Sequence, residues 1–358
     1  KNIKAAAYIG FVNIAIRSSN RYIEEPEVRN RIAEILSDYS FRDLWPSATL
    51  DLMRANNQLF SRIFDKVASR EGILSKNFDD VTFRLNSISF AVFRRITNKY
   101  PDLPENEINS RISEIEINSA ISEVLEERRK FENKVVLGKD THLITFVHEE
   151  KREDFENQPF IDFAKKRGVR DENIVHEDKG VEFKGPEAKN SIKNAIINSR
   201  NKGQTVIYAN VHGNKDKISL GDSEGFSFGE LADILSQRGR LYEVTLISSS
   251  CFSYDYAKNL LNELETRTAT LSTIITTANK DRYSYGNAFL NSLTRLNIPD
   301  NQPLLGRHIY EAEKYADQYE DVAVFFSEYG INSIEIAENS INHQCPVCEG
   351  DLCPVSLG

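Results

Sequence analysis

Cys251 closes an apolar, β-branched run in "EVTLISSSCFS", and His212 closes another, "QTVIYANVHGN", thirty-nine residues earlier. A thiol and an imidazole together make a nucleophile: the imidazole takes the thiol's proton and the thiolate attacks an electrophilic carbon. Two strand-like runs that each end in one of these side chains deliver both to the same edge of a sheet. Either residue alone carries little weight, because a lone Cys at a strand end is usually a buried small hydrophobe and a lone His a structural hydrogen-bonder. One hairpin-like loop and one helical segment separate the pair, a spacing suited to covalent acyl chemistry. Gly213 follows the histidine, allows close backbone approach and can present its N–H to a developing oxyanion, with the Cys251 N–H as second donor.

The elements that must position this pair are legible from about Lys134 onward. Short β-branched runs alternate with helical segments in "HLITFVH", "PFIDFAKKRG", "GPEAKNSIKNAIINSRNKG", "QTVIYANV", "SFGELADILSQRG", "EVTLISSS", "DYAKNLLNELE", "LSTIITTAN" and "GNAFLNSLTRL". Such alternation argues an α/β fold with a mostly parallel sheet covered on both faces, whose sites form at the carboxyl ends of strands. His212 and Cys251 occupy such ends, whereas His142 and His148 lie within or just after the first strand.

Residues 1 to 130 read as an all-helical N-terminal domain, with apolar residues three and four apart in "RNRIAEILSDYSFRDLW", "LDLMRANNQLFSRIFDKVA" and "INSRISEIEINSAISEVLEERRKFENK". Pro104, before "ENEINSRIS", marks a helix start. This half has no Cys, no His and no glycine-rich loop, so a regulatory or partner-binding role is expected of it. The chain thus divides into a helical domain over 1–130, an α/β domain over 134–340 and a Cys-rich tail over 341–358.

The residues around the pair resemble the caspase-like (clan CD) cysteine peptidases, which include caspases, metacaspases, legumains, gingipains and clostripain. "VIYANVHGN" with "VTLISSSCFS" looks like the paired histidine and cysteine blocks of that group, and "HLITFVHEE" with "FIDFAKKRGV" is similar to its first strand and helix. "GPEAKNSIKNAI" resembles the helix before the histidine strand, and "ISLGDSEGFSFGELADIL" the loop and helix leading to the cysteine strand. "STIITTANKDRYSYGNAFLNSL" resembles the next strand, the substrate-facing loop and the helix after it, as in the legumain and clostripain branches. The resemblance covers residues from about 134 to 300 and implies a cysteine endopeptidase acting on a protein substrate. In it Cys251 is the nucleophile, His212 moves the proton, the Gly213 and Cys251 amides form the oxyanion hole, and catalysis needs no cofactor.

The chain also departs from that group. Several relatives carry an acidic residue two positions before the nucleophile, where this chain has Ser249, followed by Ser250. The usual clue to the residue preferred at the cleavage site is therefore missing. Asp222, Glu224, Asp255 and Asp281 are loop carboxylates within reach of a cleft, and Tyr283 and Tyr285, after the next strand, suit the wall of a substrate pocket; each also fits an ordinary surface or packing role. Ser249, Asp222, Tyr283 and Tyr285 are the substrate-binding candidates. Two other readings stay open: a catalytically silent caspase-like adaptor, and a transamidase that resolves the acyl-enzyme with an amine instead of water. Retention of both His212 and Cys251 favours an enzyme.

The tail "NHQCPVCEGDLCP" places His343, Cys345, Cys348 and Cys353 within eleven residues. These donors suit a structural zinc ion; a disulfide or free thiols fit the same spacing. Three of four cysteines gathered there do not make a disulfide framework for 358 residues, which points to a reducing, cytoplasmic compartment. A formal net charge of -9 with 28% charged residues gives no electrostatic reason to bind nucleic acid. "AAAYIGFVNIAI" is too short to span a bilayer, which takes about 20 apolar residues, and it reads as an amphipathic helix rather than a signal peptide. Because the chain begins with Lys rather than Met, we expect that something upstream has been removed or left out.

Overall fold

The two β-branched runs that end at His212 and Cys251 become neighbouring parallel strands. The computed structural model describes residues 58–71, 88–89, 91–100, 102–147, 158–176, 186–220, 224–269, 271–278, 288–313, 322–327 and 334–338. In chain order these form helices α1 (Gln58–Glu71), α2 (Glu105–Arg111) and α3 (Glu114–Glu132), then β1 (Val135–Leu137), β2 (His142–Val147), α4 (Gln158–Lys166), β3 (Ile174–His176), α5 (Pro186–Asn198) and β4 (Thr205–Asn210). There follow β5 (His212–Gly213), β6 (Lys217–Ser219), β7 (Gly225–Ser227), α6 (Phe228–Arg238), β8 (Val244–Ser249), α7 (Ser253–Thr266) and β9 (Thr273–Thr276). The remaining elements are α8 (Ala288–Thr294), β10 (Leu304–Leu305), α9 (Gly306–Glu313), β11 (Ala323–Phe326) and β12 (Ile334–Glu338). The chain divides into two compact units, residues 1–122 with 340–343 and residues 123–339 with 344–358.

A seven-stranded sheet in the order β12-β11-β9-β8-β4-β2-β3 organises the larger unit. The run β3-β2-β4-β8-β9 is parallel, and β11 and β12 add an antiparallel edge. Every residue of β4 ("TVIYAN") and β8 ("VTLISS") is buried, as strands covered on both faces must be. Beneath one face, Ile207, Ala209 and Leu246 join Ile192 of α5, Leu231 and Leu235 of α6 and Leu260 and Leu264 of α7 in one apolar core. Tyr208 points the other way, as strand alternation requires, and stacks on Phe160 of α4 with ring centroids 3.7 Å apart. The mostly parallel sheet flanked by helices is the α/β architecture expected from the sequence and fits a caspase-like fold. The antiparallel edge β11-β12 and the small β1-β10 ladder were not expected.

In the smaller unit Leu59, Ile63 and Val67 line one side of α1 and are fully buried. Glu114 accepts from Arg62 and pairs with Lys66 at 2.6 Å, and these two cations hold its carboxyl below the usual range. Pro104 does precede a helix: its carbonyl accepts from Glu107 and Ile108 N–H groups. The continuous helix expected over 108–134 is instead interrupted at Ile112, which is extended. Ser113 then restarts it with a capping box, its Oγ accepting from Glu116 N–H while the Glu116 carboxylate accepts from Ser113 N–H. The stretch 29–45 and the apolar run 5–16 lie outside the described residues, as do 72–87. Among the described residues no helix is long and apolar enough to cross a membrane.

Candidate active site

Strands β4 and β8 pair in parallel with a constant offset, from Thr205 opposite Val244 to Asn210 opposite Ser249. Val211 N–H donates to the Ser249 carbonyl at 3.2 Å and extends the pairing one step further. His212 and Cys251 each come two residues after the last pair, so both lie just beyond the carboxyl ends of neighbouring strands. Neighbouring strands lie about 4.8 Å apart, close enough for side chains at one level to meet.

The chain path beyond the strand ends tightens this approach. A Cβ placed on Gly213 would lie 2.8 Å from the Cys251 carbonyl oxygen and 3.1 Å from Ser250 Cβ and Oγ. Only glycine lets the histidine-bearing segment run this close to the cysteine turn. Ser250 Oγ is also 3.0 Å from Ser248 Oγ, on the same side of the chain. Ser249 faces the opposite way and is 2% exposed.

Cys251 sits in the turn between β8 and α7 and is 3% exposed. The turn is closed by Ser253 N–H donating to the Ser250 carbonyl, and Phe252 adopts φ 54° and ψ 23°. A left-handed non-glycine residue costs of order 1 kcal/mol or more and is held by its surroundings. It swings the chain from strand to helix within two residues and leaves Cys251 just ahead of the α7 N-terminus. Ser253 ties this turn to the next strand: its Oγ accepts from Ala278 N–H at 2.9 Å and Thr277 N–H at 3.2 Å.

His212 begins a separate three-stranded antiparallel sheet, β5-β6-β7, in which His212 pairs with Ser219 and Gly213 with Ile218. Its Nε2 is shielded from solvent. Asn214 shapes the hairpin that follows, its Oδ1 accepting from Asp216 and Lys217 N–H groups. Gly225 of β7 crosses so close to β6 that a Cβ there would run into the Ile218 carbonyl. Across to α7, Tyr256 OH donates to the Phe226 carbonyl at 3.2 Å and Asn259 Nδ2 to the Lys215 carbonyl at 3.0 Å. Burial and the nearby Glu230 carboxylate push the Tyr256 phenol well up, so it remains a donor.

The structure thus packs Gly213 against the Cys251 carbonyl and Ser250, with His212 just before it, while Ser249 lies in β8 with its side chain turned the other way. Of the loop carboxylates, Glu224 and Asp255 are half-buried, the latter in the first turn of α7. Asp222, Asp281, Tyr283 and Tyr285 lie outside the described residues, as do His148 and the tail residues His343, Cys345, Cys348 and Cys353. His142 is buried at the opposite, amino end of β2, level with Thr205, where burial and the cations of Lys202 and Arg238 lower its affinity for a proton. Among the described residues no cluster of three or more His, Cys, Asp or Glu side chains could hold a metal ion. Sequence reasoning passed over Ser253, Tyr256 and Asn259. A serine at the first position of a helix is a known seeker of backbone amides, but nothing in the local pattern names its partners twenty-five residues away.

A model of the Peptidase C13 family matches residues 145–327, just over half of the chain, from the middle of β2 to just past the end of β11. This is the legumain family of clan CD cysteine peptidases, whose catalysis needs no cofactor. No curated protein matches the chain.

Proposed function

From the premise that this chain belongs to the Peptidase C13 family and is a cysteine peptidase of clan CD, we propose that Cys251 and His212 are its catalytic pair and a protein its substrate. The observation that supports this reading is the shared register of β4 and β8, which ends just before both residues at the carboxyl end of the sheet, with Gly213 against the Cys251 carbonyl. The Cys251 thiolate attacks the scissile carbonyl and forms a C–S bond. The oxyanion is received by the Gly213 and Cys251 amides, donors of a kind whose single removal costs about 3–4 kcal/mol elsewhere. Collapse breaks the C–N bond, and the His212 imidazolium gives its proton to the leaving amine. Water then attacks the thioester, passes a proton to His212 and releases the acid with the thiolate restored.

Residues 1–130 are assigned to regulation or to binding a partner. What supports this is the placement of His212 and Cys251 in the unit of residues 123–339, apart from residues 1–122. The test of the catalytic reading is a peptide library incubated with the protein and followed by mass spectrometry. Cleavage at a consistent residue type is expected, lost in Cys251→Ala and in His212→Ala. A Cys251→Ala protein that cleaves at the original rate sinks the reading.

A further inference from the structure

We propose that Asn259 and Tyr256 are positioning residues that hold His212 in place relative to Cys251; this rests on the catalytic reading above. The β5-β6-β7 sheet that carries His212 is made of strands of two or three residues. A sheet that short is not rigid by its own ladder. It follows β4 after the single residue Val211 and buries Ile218 and Phe226 in the core it shares with the main sheet, while its outer turn at Lys215 needs a further hold.

The helix that follows the nucleophile supplies it. Tyr256 and Asn259 are three residues apart on α7 and so share a face. They grip the small sheet at two separated points. Asn259 Nδ2 donates to the carbonyl of Lys215, in the turn two residues beyond Gly213. Tyr256 OH donates to the carbonyl of Phe226 in β7, and Phe226 pairs with Ile218, which pairs with Gly213. A third, looser contact spans the same gap: Lys215 Nζ lies 6.0 Å from the centre of the Phe252 ring, next to the nucleophile. Because α7 starts directly after the cysteine turn, any rotation of the small sheet against α7 changes the separation of His212 and Cys251. Two hydrogen bonds to main-chain carbonyls, at the tip and at the far strand, block that rotation.

The test uses near-isosteric replacements in the full chain. Asn259→Asp removes the donor at a half-buried position, and Tyr256→Phe removes only the hydroxyl. Each is expected to lower kcat about tenfold with KM within about twofold of the wild type, the size of effect expected from a sub-ångström misplacement of a catalytic group. Asn259→Gln keeps an amide donor and is expected to recover most of the loss. Asn262→Asp, the same chemical change at an exposed position of α7, is expected to leave kcat unaltered. Labelling of Cys251 by a thiol-directed peptide electrophile is measured in parallel. If the wild type is labelled in a His212-dependent way but Asn259→Asp and Tyr256→Phe keep full kcat, this inference fails and the catalytic reading stands. If kcat falls only in step with melting temperature, or Asn259→Gln is no better than Asn259→Asp, the two residues are merely structural and the inference is overturned. If the wild type is not labelled at Cys251, the catalytic reading itself fails.

Discussion

Replacing Gly213 with alanine adds one methyl group at the closest point between the histidine segment and the cysteine turn. The backbone at Gly213 is not in the left-handed region, so the penalty comes from space alone, and the alanine N–H remains available as an oxyanion donor. The new Cβ would meet the Cys251 carbonyl oxygen at 2.8 Å, whereas ordinary contact begins at 3.4 Å, so the two segments must separate by about 0.6 Å. Ser250 Cβ and Oγ, each 3.1 Å from the same point, block a sideways escape. Overpacking of this kind costs about 1–3 kcal/mol of stability, and a misplacement approaching 1 Å at a reacting pair costs about tenfold to a hundredfold in turnover. We therefore expect kcat to fall at least tenfold, measured on a peptide taken from the cleavage profile, with folded protein confirmed by its melting curve. A folded Gly213→Ala protein with kcat within twofold of the wild type would falsify the close approach on which the site is built.

Other perturbations follow from groups outside the catalytic pair. Lys134 donates to Ser272 Oγ at 2.5 Å and faces the Phe326 ring, and burial lowers its pKa from 10.5 to about 8. It binds a proton less tightly when folded than when unfolded, so the penalty is fully present below pH 8 and fades as pH rises toward 10.5. Lys134→Met should thus raise urea-measured stability by about 2–3 kcal/mol at pH 7, with the gain shrinking at pH 10; a gain that does not change with pH rules out this cause. Ser253→Ala takes away the acceptor of the buried Ala278 N–H and should cost about 1–3 kcal/mol, read in the same urea titration. No change in the urea midpoint would mean that this bond does not hold the turn.

Much of this was legible in the chain because parallel strands buried on both faces advertise themselves. "TVIYAN" and "VTLISS" are mostly β-branched, apolar or small residues, and the side chain two residues after each is one that a site at a strand end needs. Helix α6 was equally plain, with Ser227 and Glu230 forming its capping box. The break at Ile112 was hidden because apolar spacing continues across it, while the restart depends on one serine meeting a glutamate three residues on. The edge strands β11 and β12 were missed because their short runs, "AVFF" and "IEIAE", carry no neighbouring helix pattern to mark them as part of an alternation. The links from Tyr256 and Asn259 to main-chain carbonyls could not be read at all, since a carbonyl has no residue type. Sequence shows which side chains can donate, and only the folded chain shows what receives.

The claim at the centre of this account is that His212 activates Cys251, and the rate of covalent labelling measures it most directly. With a thiol-directed peptide electrophile and mass mapping of the modified residue, the wild type should be labelled at Cys251. His212→Ala should slow that labelling about a hundredfold or more, the usual worth of a positioned general base. Labelling confined to Cys345, Cys348 or Cys353, or labelling of Cys251 that is as fast without His212 as with it, would contradict the account.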